Sequence, residues 1–257
     1  MSDTTGIEWT NATWNPVTGC SKVSPGCAHC YAETLALTRL AGKPGYPGLP
    51  WTPENAERNV VLHPDRLDLP LYWRKPRRVF VNSMSDLFHE RVPGEFIRDV
   101  FLTMAMAQEH TFQILTKRPT RMRFLLASNF TPEWATGLFA VDFWPLPNVW
   151  LGTSIENDRF VGRADALRAT PAAVRFISAE PLLGPLPSLD LTGIDWLIVG
   201  GESGPGHRPM DPAWVRKLVH RADRAGCAVF VKQDSGARSG RQGRLPDDLW
   251  ARKEYPS

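Results

Sequence analysis

The sequence predicts an α/β fold: a single β/α barrel, closed or partial, of about six or seven parallel strands. Three observations carry this. Short apolar runs recur along the chain, and each passes directly into a polar signature. Stretches of helical periodicity lie between the runs, an alternation that makes parallel sheets. The chain has 257 residues and 42% hydrophobic content, enough for one substantial core, so residues 1–257 read as one domain.

The elements follow in chain order. TGCSKVSPGCAHCYAETLA, residues 18–36, holds three of the four cysteines: Cys20, Cys27 and Cys30. Residues 42–76 are crowded with prolines and read as a surface excursion, a loop or a lid, with one short helix near Pro64–Trp73. RRVFV (Arg77–Val81) then leads into NSMSDLFHE, and FQIL (Phe112–Leu115) into TKRP. NVWLG (Asn148–Gly152) leads into TSIEN, VRFI (Val174–Ile177) into SAEPLLGPL, DWLIV (Asp195–Val199) into GGESGPGHRP, and AVFV (Ala228–Val231) into KQDSG. Near-continuous Val, Ile, Leu and Phe runs of this length suit strands covered on both faces.

Between them, GEFIRDVFLTMAMAQ places Ile97, Val100, Phe101 and Met104 on one helical face. DPAWVRKLVHRADRAG opens with Asp211 as N-cap and Pro212 at the first helical position, and closes at Gly226. PTRMRFLLAS and NDRFVGRADALRAT are shorter candidates. An irregular aromatic stretch, SNFTPEWATGLFAVDFWPLP, is expected to pack over the barrel. An open Rossmann-like sheet is the competing fold, but the first strand carries no G-x-G-x-x-G turn. In a barrel the loops after the strands gather at one end, where an active site forms.

No run of about 18 apolar residues is present, which predicts no membrane span. The N-terminus lacks the pattern of a secretory signal, so a cytoplasmic protein is expected. In a reducing compartment, clustered cysteines bind metal or do chemistry more often than they form disulfides. Net charge is +3, and residues 208–257 hold eleven Lys and Arg against six Asp and Glu. That basic end would suit phosphates, a nucleotide or nucleic acid, or it is a solvated basic surface. The ten tryptophans are expected in the core or at its rim.

The cysteine spacing, C-x6-C-x2-C, admits three readings. A structural zinc site needs a fourth ligand, with His29, His89 and Cys227 as candidates. The thiols are otherwise catalytic one at a time, or buried and inert, as Cys227 at a strand entrance is expected to be. Or they hold an iron–sulfur cluster, in which three thiolates on a cubane leave one iron open for a small molecule.

The motifs GIEWTNATWNPVTGCSKVSPGCAHCYAE, VNSMSDLFHE, FQILTKRP, ISAEPLLGPL, VGGESGPGHRPM and FVKQ resemble a family of bacteriophage and bacterial three-cysteine-motif proteins, similar to an outlying branch of the radical S-adenosylmethionine superfamily. Two departures stand out. The first cysteine gap is three residues longer than the superfamily's usual C-x3-C-x2-C, and Asp234 follows KQ where the family tends to have tryptophan.

The resemblance implies a radical-S-adenosylmethionine-like barrel with Cys20, Cys27 and Cys30 on a [4Fe–4S] cluster. The cluster would cleave S-adenosylmethionine to a 5′-deoxyadenosyl radical, with electrons from a flavodoxin- or ferredoxin-like donor. It further implies cofactor-binding roles at the strand ends. Ser83, Ser85 and Asp86 are candidates for the cofactor's amino group, Asp86 first, unless it caps the next helix. Lys117 and Arg118 would hold a carboxylate or phosphate. Ser154, Glu156 and Glu180 would bind ribose hydroxyls or substrate, or pair with those cations. Glu202 and Ser203 are assigned to cofactor or substrate, and Lys232 with Gln233 would cap the site. His89 reads as a structural histidine. Two other functions compete: a non-catalytic zinc-binding, nucleic-acid-interacting phage protein, and a hydrolase using Glu and Asp pairs.

Overall fold

In the computed structural model, which describes residues 5–127 and 144–256, seven parallel strands curl into a half-barrel. They are β1 (Ala12–Trp14), β4 (Arg78–Val81), β5 (Thr111–Thr116), β6 (Val149–Ser154), β7 (Val174–Ala179), β8 (Trp196–Gly200) and β9 (Ala228–Gln233), adjacent in that order. Six are the apolar runs of the sequence. The seventh, β1, is three residues flanked by Asn11 and Asn15, too short and polar-edged to stand out. It pairs with β4 at the sheet edge, where Asn11 Oδ1 accepts from the Arg78 amide at 2.9 Å.

Helices α3 (Gly94–Met106), α4 (Pro119–Leu126), α5 (Arg163–Arg168) and α6 (Pro212–Ala225) connect these strands, and α7 (Asp247–Trp250) follows β9. The capping signals of α6 operate as expected: Asp211 accepts from the Ala213 amide at 2.8 Å, and Gly226 closes the helix in the left-handed region. Val215, Leu218, Val219 and Ala222 form its buried face; Ile97, Val100, Phe101 and Met104 form part of that of α3. NDRFVGRADALRAT is a 3-10 turn at Asp158–Phe160 followed, after Gly162, by the single short helix α5.

The proline-rich segment departs from expectation. No α-helix forms over Pro64–Trp73; there are two 3-10 turns, Pro64–Arg66 and Leu69–Tyr72. Pro70 has no amide hydrogen, so an i→i−4 ladder cannot run through it. The segment also contributes α2 (Ala56–Asn59) and β3 (Val61–Leu62), which pairs antiparallel with β2 (Val17–Thr18). Trp14 Nε1 donates to the Arg66 carbonyl at 2.7 Å. The excursion is thereby bound to the chain leading into the cysteine loop. Of the irregular aromatic stretch, residues 128–143 lie outside the described residues; Trp144 packs against Phe101.

Alternation along each strand separates two cores. Val79, Val81, Phe112, Ile114, Leu151, Ile177, Leu197, Val199, Val229 and Val231 cluster with the buried faces of the helices. Residues of the other parity (Phe80, Phe176, Trp196, Ile198 and Phe230) cluster with Trp9 and with the partly buried Trp150 and Tyr255. Trp196 is the hub of this inner layer, with ring centroids of Phe176 at 5.6 Å, Trp150 at 5.8 Å and Trp9 at 6.1 Å. Gly152 makes room for it, since a Cβ there would lie 2.5 Å from the Phe176 ring. Aromatic side chains thus fill one end of the concave face.

Candidate functional site at the mouth of the half-barrel

The same alternation builds the other end. Counting in twos from the inner aromatics, Trp150 leads through Gly152 and Ser154 to Glu156, and Phe176 through Ser178 to Glu180. Trp196 leads through Ile198 and Gly200 to Glu202, Leu115 to Lys117, and Phe230 to Lys232. Five inner columns that start apolar end on a charge, whereas Phe80 leads to the neutral Asn82, so most of the strand ends present an acid–base ring to the mouth. The columns also pair with one another: Lys232 Nζ lies 2.5 Å from Glu180 Oε1, and Lys117 Nζ donates to Glu156.

The cysteine loop leaves β2 and is tied onto this ring. Cys27 ends a 3-10 turn, Pro25–Cys27, and Cys30 precedes α1 (Tyr31–Leu37). Ser24 Oγ donates to Glu156 Oε1 at 2.5 Å, and Arg163 Nη1 lies 3.0 Å from Glu156 Oε2. A Cβ on Gly26 would come within 2.5 Å of the Glu156 carboxylate, so the loop seats there only through a glycine. On the other side, His29 Nδ1 is 2.9 Å from Glu202 Oε2, and Arg208 Nη2 donates to the Pro25 carbonyl at 3.0 Å while its guanidinium forks Glu202.

These contacts set the ionisation. For Glu156, with no exposed surface, burial is the largest influence and acts upward. Lys117, Ser24 and Arg163 together outweigh it and hold the carboxyl below the usual range. Glu202 is likewise pushed up by burial, yet hydrogen bonds from Arg208 and His29 prevail and lower it to about 2. Burial, with Asp86 acting in the same direction, pushes the Cys20 thiol up to about 12, while Arg118 opposes both; Cys30 is also raised, mainly by burial, with Lys117 opposing. Cys27 raises both, so its sulfur lies within electrostatic reach of each of the other two. Among the described residues, no group of three or more His, Cys, Asp or Glu side chains is gathered closely enough to hold a metal ion.

Several residues singled out in the sequence are held by other protein groups. Asp86 Oδ1 accepts from the Phe88 amide and Thr116 Oγ1, and Oδ2 from the Lys117 amide and Arg118 Nη1. It does not cap α3, whose N-cap is Pro93. Ser85 Oγ donates to the Val17 carbonyl at 2.8 Å, and Ser83 exchanges hydrogen bonds with Asn15. Ser154 is buried, its carbonyl accepting from Arg163, and Ser203 forms an isolated bridge with Gly236. Gln233 donates to the Gly201 carbonyl at 2.8 Å. His89 accepts from the Arg91 amide at Nδ1 and lies 2.8 Å from Ser21 Oγ at Nε2. Burial and Arg118 lower its pKa to about 4.

Cys227 is buried at the start of β9, the opposite end of the strand from the mouth, so it is not placed to complete a metal site with the loop. The basic C-terminal fifth is extensively paired: Arg216 with Asp248, Arg252 with Asp223 and Glu254, Lys253 with Glu8. Asp234, at the family departure, is buried and accepts from the Arg244 amide and guanidinium, fixing the final loop. Arg238 and Arg241 on that loop are exposed and make no ion pair among the described residues.

Sequence reasoning did not single out Ser24, Arg163 and Arg208. Their carboxylate partners lie 132, 7 and 6 residues away. Arg208 stands inside the GHRP signature, and Arg163 follows Glu156 within the same strand-to-helix connection, so both had a local signal; Ser24 had none. A surface depression of 330 Å³ between Leu189–Thr192 and Arg221–Ala225 shares no residue with the mouth.

Fold and site together define a class: a parallel α/β half-barrel whose three-cysteine loop is clamped over a ring of charged residues at the strand ends. Residues 4–250 match the family model described as a protein of unknown function, DUF5131, and the chain belongs to that family. No curated protein and no solved structure matches it. No helix among the described residues is long and apolar enough to cross a membrane.

Proposed function

We propose that the protein is a radical S-adenosylmethionine-type enzyme whose candidate substrate is a nucleotide or nucleic acid. One observation supports this above the rest: the loop bearing Cys20, Cys27 and Cys30 is pinned at the C-terminal mouth of a parallel half-barrel, by Glu156 on one side and Glu202 on the other. The resemblance of its motifs to an outlying branch of that superfamily supports the same reading. The donor set has the chemistry of a [4Fe–4S] cluster, a wider body than the single ion that no three of these side chains are gathered to hold: three thiols on one short loop, with Arg118 and Lys117 beside them to offset thiolate charge. When bound, the cluster would supply one-electron cleavage of S-adenosylmethionine, fed by a flavodoxin- or ferredoxin-like donor.

The chain's own residues have three tasks. The aromatic layer around Trp196 closes the concave face behind the mouth and keeps water out. The clamps through Ser24, His29 and Arg208 hold the cysteine loop in register with the strand ends. The partly exposed Lys117, Glu180 and Lys232 offer both charges to the ammonium, carboxylate and hydroxyl groups of an incoming ligand, while the buried Glu156 and Glu202 are taken up by the clamps. Arg238 and Arg241, exposed and without an ion pair among the described residues, support the phosphate-bearing substrate class.

The test is anaerobic reconstitution with iron and sulfide. The reading expects about four irons per chain, a broad charge-transfer absorption, loss of both in Cys27→Ala, and S-adenosylmethionine cleavage on adding reductant. One zinc per chain with no iron uptake would overturn it and leave the zinc-binding, nucleic-acid-interacting protein.

A further inference from the structure

Arg118 is a buried arginine whose every donor is committed. It stands at the β5–α4 junction, 7% exposed. Nε lies 3.1 Å from both Glu90 oxygens; Nη2 lies 3.2 Å from the Ser21 carbonyl and 3.1 Å from Ser21 Oγ. Nη1 reaches Asp86 Oδ2 at 3.1 Å and Cys20 Sγ at 3.6 Å. A guanidinium fixed by Asp86, Glu90 and Ser21 cannot swing away, so its hydrogen bond to the sulfur is a permanent feature of the loop. A helix-start arginine with one carboxylate partner would suffice for folding alone. Here a second carboxylate and the cysteine's own neighbour, Ser21, aim it.

We infer that Arg118 is a positioning residue that raises the reduction potential of a cluster bound through Cys20, with Asp86 acting in the opposite sense; this rests on the cluster reading above. One electron from a low-potential donor adds one negative charge to the iron–sulfur core, no bond being made or broken. A donated N–H and a positive charge beside a ligand sulfur favour that more negative state. The Asp86 carboxylate, 3.1 Å from the same Nη1, disfavours it.

The experiment is redox titration of the reconstituted protein, followed by the electron paramagnetic resonance signal of the reduced cluster. Arg118→Lys keeps a cation but loses the fork, and leaves Asp86 and Glu90 less compensated. At a fixed applied potential its ratio of reduced to oxidised cluster should fall about tenfold, which for a one-electron couple is about 59 mV. Asp86→Asn should move the ratio upward. Opposite signs in the two variants are what a merely structural role would not produce. Equal potentials in both variants and the parent, or shifts of the same sign, overturn the inference while leaving the cluster reading standing. Failure of the parent protein itself to take up iron overturns the cluster reading, and this inference with it. Should Arg118→Lys not fold, Asp86→Asn and Ser21→Ala, which removes one of the aiming contacts, carry the test: up for the first, down for the second.

Discussion

Glu202 ties the cysteine loop to β8, and the cost of losing its charge follows from its environment. The carboxyl is 4% exposed, and its pKa stands at about 2 against an ordinary 4.5. At about 1.36 kcal/mol per unit, the gap corresponds to about 3 kcal/mol of stability at neutral pH. Its partner Arg208 is about one-third exposed, so water screens the pair and about 2–3 kcal/mol is expected. Because the folded pKa is depressed, this contribution is complete above the unfolded value and is lost as pH falls toward the folded one. Glu202→Gln should therefore melt roughly 4–12 °C below the parent at pH 7, and the difference should shrink steadily below pH 4.5 and vanish near pH 2. Urea unfolding at pH 7, 4 and 3 reads the same difference. A gap below about 1 kcal/mol at pH 7, or a gap that does not change with pH, would refute the reasoning. Either result would mean that the loop is not held by this charge.

Two further outcomes follow from the same geometry. Glu156→Gln leaves Lys117 and Arg163 facing each other without a counter-charge in a buried site, and should cost about 3–5 kcal/mol in denaturant unfolding; Lys117→Met in the same chain should recover part of that loss. Gly152→Ala drives a methyl into the Phe176 ring and should destabilise by about 1–3 kcal/mol, with Phe176→Leu partly restoring the melting temperature.

The amino-acid sequence by itself determined the architecture. Six of the seven strands are apolar runs whose covered faces need no long-range information, and α6 carries its own start and stop signals in Asp211 and Gly226. The charged ring at the mouth was legible too, since a period of two leads from Phe176 to Glu180 and from Trp196 to Glu202 whatever lies opposite. Strand β1 escaped because three residues between asparagines carry too little periodicity to read. The helix expected after Pro64 gave way to 3-10 turns because Pro70 withholds an amide hydrogen.

What only the tertiary structure decided is which groups meet. Ser24 reaches Glu156 across 132 residues, and His29 reaches Glu202 across 173, both because the cysteine loop folds back over the ends of strands far away in the chain. Asp86 and Arg118 read alike from sequence as ligand-binding groups, yet folding turns them on each other, and Arg118 on Cys20 as well. Alternation sets the face a side chain occupies and depends on its neighbours two residues away. The partner it finds there depends on how the sheet curls, and that is a property of all seven strands together.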